Sequence, residues 1–196
     1  MIRLIMALNA EARPIIEYFD LKEQTSLGLF PVYRSHDIVL GVSGIGRMAA
    51  AAATAYLHAM TGEHRDGGWL NIGVAGHAQW RCGLGVLANR IIDRSTRRCW
   101  YPHKLLNIPI GSGSLITVDS PETDYPEEAM YDMEAAGFFF VASRCMALEF
   151  VHCYKVISDN RSTLASTVTP NRVRQLIGDR LADIDILIQR IVEQAR

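Results

Sequence analysis

Apolar and polar residues alternate along this chain in blocks rather than singly. "IRLIMAL" (2–8) is a continuous apolar run of strand length, and a helix-like stretch follows from about Ala10 to Phe19. "LFPVYR" (29–34) and "DIVLGVS" (37–43) read as neighbouring strands joined at Ser35-His36. After Gly44-Ile45-Gly46 comes "RMAAAAATAYLHAM" (47–60), an alanine-rich helix whose small side chains allow close approach to a sheet. Further strands are predicted at 69–75, 85–93, 114–119 and 150–158. A buried helix opens near Asp132 and runs to about Met146. From Pro170 to Glu193 the apolar residues, from Val173 and Leu176 to Leu187 and Ile191, fall on one helical face.

Strands that are apolar along their length and alternate with helices predict an α/β fold. Residues 1–196 are expected to form one domain with a mixed, mostly parallel central sheet flanked by helices. In such folds functional groups gather at the carboxyl ends of strands. Glu11 follows the first strand, Ser43 and Gly44 follow the third, and Gly73 to Gly76 end the next. Asp119 closes "SLITVD", and Ser158-Asp159-Asn160 closes the last strand.

Bulk properties narrow the function. A formal net charge of −1 and a pI near 6.6 give no basic field for nucleic acid or anionic membrane surfaces. No run reaches membrane-spanning length, and "MIRLIMALNAEARP" meets an acid and a proline too early for a signal peptide. Cys82, Cys99, Cys145 and Cys153 form no CxxC pair, and the histidines lack zinc-site spacing. A cytoplasmic protein with reduced thiols and neither metal nor other cofactor is expected.

Three segments carry candidate chemistry. "SGIGRMA" (43–49) has the G-x-G-x-x-A skeleton of a dinucleotide fingerprint. The next strand, "WLNIGVAG", does not end in the acid that would hold a ribose, so a nicotinamide site is excluded. The glycines then serve either a tight turn or a ligand that approaches the backbone. "NIGVAGHA" (71–78) poses the same choice, a turn or a backbone wall for a flat ring. "KVISDN" (155–160) puts Asp159 at a strand end, either as a turn residue or as a proton donor. The apolar helix opening with Asp132-Met133-Glu134 is the oddest feature. Acids there either favour the helix dipole, or Glu134 grips a diol with both carboxylate oxygens.

Taken in order, "MALNAEA", "VSGIG", "NIGVAG", "LGV", "DMEAAG" and "VISDN" resemble the nucleoside phosphorylase superfamily. The likeness is greatest to its hydrolase branch, the methylthioadenosine/S-adenosylhomocysteine nucleosidases, and it spans nearly the whole chain. The resemblance implies hydrolysis of the N-glycosidic bond of a purine nucleoside. Asp159, with Ser158 beside it, would protonate or hydrogen-bond the purine. Glu134 would hold the ribose hydroxyls with Met133 under the sugar, and Glu11 would orient the attacking water near Ser43, Gly44 and Gly46. Gly76 would belong to a backbone wall beside the substrate, and Lys155 stands where relatives usually carry arginine.

The nearest alternative is a phosphorylase holding phosphate through Arg13, Arg47 or Lys155, and the alternative from another class is a nucleoside-binding sensor that has lost catalysis. Glu11 suits water activation and repels phosphate, which favours hydrolysis. Asp119-Ser120-Pro121 lacks the aromatic residue that nucleosidases usually place two positions after this acid. The resemblance also implies a homo-oligomer.

Overall fold

The computed structural model describes residues 1–24, 28–62, 67–105 and 108–195. In chain order the elements are β1 (Ile2–Met6), α1 (Asn9–Tyr18), β2 (Lys22–Glu23), β3 (Val32–Arg34), β4 (Ile38–Val42) and α2 (Arg47–Thr61). Then come β5 (Gly68–His77), β6 (Gly85–Asp93), β7 (Cys99–Trp100), β8 (Gly111–Thr117) and β9 (Met130–Asp132). The chain ends with α3 (Ala135–Cys145), β10 (Val151–Asp159), α4 (Pro170–Gly178) and α5 (Leu181–Gln194).

Among the described residues all ten strands belong to one mixed sheet. Its centre is parallel, with β1 between β4 and β5 and with β5 also beside β10. From there the sheet curls, as β10 pairs with β6, β6 with β8, β8 with β9, and β9 returns to β5. These five strands close on themselves, and β4, β3 and β2 extend the open edge. Closure brings the carboxyl ends of β5 and β10 beside β9, a strand too short to stand out in the sequence.

The two faces carry different packing. On one, Leu4, Leu40 and Leu70 meet Leu176 of α4 and Leu187 and Ile191 of α5. On the other, Trp69 and Val39 meet Ala50, Ala53 and Leu57 of α2 and Phe138 and Phe139 of α3. The alanine-rich helix therefore approaches both the sheet and α3. At their crossing a Cβ on Gly137 would stand 1.8 Å from the Arg47 carbonyl oxygen, so only glycine permits that contact.

Two predicted boundaries move. The C-terminal helical face is two helices, interrupted at Asp179 and Arg180 directly after Gly178, a poor helix former. Asp132 does not start the buried helix. It ends β9 and accepts from Ala135 N at 2.8 Å through Oδ2, which caps α3 from outside.

Candidate active site

The site is built on the end of β10. Lys155 and Asp159 lie four residues apart on that strand, roughly 13 Å along an extended backbone. Their partners on β5 are Gly73 and Gly76. A Cβ on Gly73 would be 2.8 Å from Glu11 Oε1 and 3.4 Å from Lys155 Nζ. One on Gly76 would be 2.4 Å from Asp159 Oδ2. The two glycines leave room for charged groups that side chains would displace.

Lys155 is the hub of the first cluster. Its ammonium is 2.8 Å from Asp132 Oδ2, with both side chains out of solvent. Burial opposes its charge, but Asp132 and Glu134 beside it hold the amine protonated above its usual range. Asp132 Oδ1 accepts from Thr117 Oγ1 at 2.7 Å, and that hydroxyl accepts from Ala136 N at 3.0 Å.

Glu11 sits in the first turn of α1. Oε2 accepts from Ala7 N at 3.0 Å and Leu8 N at 2.9 Å, and Oε1 accepts from Val74 N at 2.9 Å. The carboxylate thus ties the turn after β1 to the middle of β5. Burial raises its pKa, with Lys155 and the three amides opposing.

Glu134 faces the start of α2 rather than its own helix. Oε1 accepts from Gly46 N at 2.9 Å. Burial first, then the like charge of Asp132, raises its pKa to about 7, against the pull of Lys155. The turn it meets is left-handed at Gly44 (φ 82°) and Gly46 (φ 103°), which selects glycine at both. Ser43 donates to the carbonyls of Met6 (3.3 Å) and Gly44 (2.8 Å), and Gly44 N donates to Ala7 O at 3.0 Å. Glu11, Ser43, Gly44, Gly46, Glu134 and Lys155 therefore converge, although they are drawn from four parts of the chain.

The second cluster surrounds Asp159. Ser158 Oγ donates to Oδ1 and the Tyr125 hydroxyl donates to Oδ2, both at 2.5 Å. Tyr125 packs with Tyr131, Val118, Ile116 and Ala129, and half-buried Met133 borders this group. Met133 thus lies in sequence beside Glu134 and in space beside the aromatic group at Asp159.

Two members escape sequence reasoning. Asp132 reads as a helix-dipole acid because its partner is 23 residues away on another strand. Tyr125 sits in an acidic stretch that reads as solvated, its signal being a lone aromatic before Pro126. Asp119, expected to close a strand, lies two residues past the end of β8, exposed and paired with Arg47.

No protein-family model matches the chain, and no curated protein matches it in sequence. Solved structures do match its fold. The apo 5′-methylthioadenosine nucleosidase of Arabidopsis thaliana superposes with a TM-score of 0.80 at 18% identity, over 97% of this chain and 95% of that one. A mutant methylthioadenosine nucleosidase of Helicobacter pylori, with 5′-methylthioadenosine in its active site, gives 0.77 at 15% identity over 96% and 97%. Futalosine hydrolase of Helicobacter pylori gives 0.76 at 16% identity over 98% and 97%. The fold is that of the nucleosidases. The superpositions cover 96–98% of this chain and 95–97% of the three neighbours.

Proposed function

We propose that this protein hydrolyses the N-glycosidic bond of a purine nucleoside, with 5′-modified adenosines as the first class of substrate. One observation carries the reading. Buried carboxylates stand at both ends of a single stretch of β10, Glu11 and Glu134 near Lys155 and Asp159 four residues on, and Gly73 and Gly76 leave the room that Glu11 and Asp159 occupy. Cleavage of this bond builds positive charge on the sugar and negative charge on the departing base. A carboxylate group at the sugar and an acid at the base meet both needs.

Glu134 accepts the two ribose hydroxyls, with Met133 beneath the ring. Glu11 orients water toward the anomeric carbon and takes a proton from it, while Asp159 gives a proton or hydrogen bond to the base nitrogen. The oxygen–carbon bond forms as the carbon–nitrogen bond breaks, and free sugar and free base result. Substrates held by the fold neighbours, methylthioadenosine among them, support a 5′-modified purine nucleoside.

Hydrolysis is favoured over phosphorolysis by the state of the candidate phosphate ligands. Arg13 pairs with Glu17 at 2.8 Å, Arg47 with Asp93 at 2.6 Å, and Lys155 with Asp132 at 2.8 Å. Each cation already faces a carboxylate that would repel phosphate. We also assign the protein to the cytoplasm. A homo-oligomer is supported by Ile45 and Met48, 59% and 83% exposed where α2 begins. Among the described residues no helix is long and apolar enough to cross a membrane.

Base release from a panel of 5′-substituted adenosines and inosines, with and without phosphate, tests this reading. Release without phosphate supports it. Release only with phosphate makes the protein a phosphorylase.

A further inference from the structure

The segment between β8 and β9 carries five acids in twelve residues of mostly polar sequence, yet Tyr125 within it is only 3% exposed. Its hydroxyl donates to Asp159 Oδ2 at 2.5 Å. Its ring lies against the backbone of Gly76, where a Cβ would be 2.8 Å from Cε1, and meets Tyr131 edge-on at 5.8 Å between centroids. The backbone at Tyr125 is left-handed, φ 46°, a conformation that a bulky aromatic residue keeps only when its surroundings hold it there. Arg161 supplies the hold. Its Nη2 donates to the carbonyls of Asp124 (3.3 Å) and Tyr125 (3.2 Å).

With Ser158 on Oδ1 and Tyr125 on Oδ2, both oxygens of Asp159 act as acceptors. The wall beside Gly76 is covered by a flat ring. A purine needs the same two features, a planar surface and one hydrogen bond to Asp159. We propose that Tyr125 occupies the leaving-base subsite of the resting enzyme, and that the purine enters by displacing the phenol from Asp159. This rests on the nucleosidase reading above. The exchange turns Asp159 from acceptor to donor, with one proton taken from solvent, and it releases the left-handed backbone. Tyr125 is then a specificity-determining residue. A base enters only if its ring covers Gly76 and its nitrogen replaces the phenol at Asp159, so a sugar without a flat base leaves the site closed.

Stopped-flow binding of adenine, followed by intrinsic fluorescence and paired with steady-state base release, tests the idea. In the unaltered protein the observed rate should saturate with adenine concentration, because displacement limits entry. Tyr125→Phe, which keeps the ring and loses the bond to Asp159, should bind adenine roughly 10-fold tighter or more and lose the saturation. Arg161→Gln, which keeps the phenol and frees the loop, should move both readings the same way. Folded variants that bind adenine no more tightly than the unaltered protein would overturn the proposal while leaving the nucleosidase reading intact. If the unaltered protein neither binds adenine nor releases base from any nucleoside, the nucleosidase reading fails and this inference with it.

Discussion

Lys155 Nζ lies 2.8 Å from Asp132 Oδ2, and both side chains are shut away from solvent. The pair joins β10 to the end of β9, and so fixes the strand that leads into α3 against the strand that carries Asp159. Glu11 and Glu134 share the field of the same ammonium. One cation thus pairs with Asp132 and opposes the burial-driven rise in pKa at Glu11 and Glu134.

Removing that cation is expected to cost more than a surface ion pair would. Lys155→Met leaves Asp132 buried without its counter-charge, a change of about 3–5 kcal/mol in comparable cases. The double variant Lys155→Met/Asp132→Asn removes the stranded charge and should recover part of the loss. Equilibrium urea unfolding of the three proteins checks this. Equal stability of the single and double variants would count against the pair as the hub.

Glu134 gives a pH dependence with opposite signs for stability and binding. Its folded pKa of about 7 lies above the ordinary 4.5, so the native state holds the proton more tightly than the unfolded chain. Stability from this group is therefore full below pH 4.5, declines as pH rises toward 7, and stays at its lower level above that. Glu134→Gln should be insensitive over that window, and its melting temperature should gain on the unaltered protein between pH 5 and pH 8. The proposed grip on the ribose hydroxyls needs the carboxylate form, so KM of the unaltered protein should fall as pH rises through about 7. Melting curves and KM values on the same pH series test both signs.

Glu11 has two duties that one substitution separates. In Glu11→Gln the side-chain amide cannot accept from all three backbone donors, and a buried donor left unpaired costs about 1–3 kcal/mol. Loss of the carboxylate proposed to orient the water should also lower kcat by roughly 10²–10⁴-fold. The two effects diverge in the readout. KM should change little if the protein stays folded at the assay temperature, whereas a purely structural role would lower activity only in step with the folded fraction.

Much of this site is legible in the sequence because its residues sit at strand ends, where an apolar run stops abruptly at a polar group. Glu11, Ser43 and Asp159 all stand out in that way. Glu134 stands out by a different contrast, an acid at the head of an apolar helix. The partners do not. Asp132 meets Lys155 only because the sheet closes through β9, and a three-residue strand leaves no periodic trace. Tyr125 is hidden by its acidic surroundings and buried by long-range contacts with Gly76 and Asp159. The break between α4 and α5 is also invisible to a helical face that continues in phase across it.

In the proposed reaction Asp159 carries the central chemical step. Base release from 5′-methylthioadenosine in phosphate-free buffer, compared between the unaltered enzyme and a folded Asp159→Asn variant, tests it most directly. The expected result is phosphate-independent release of adenine that falls by roughly 10²–10⁴-fold in the variant, with circular dichroism unchanged. Release that requires phosphate, or a variant that keeps full activity, would contradict the assignment.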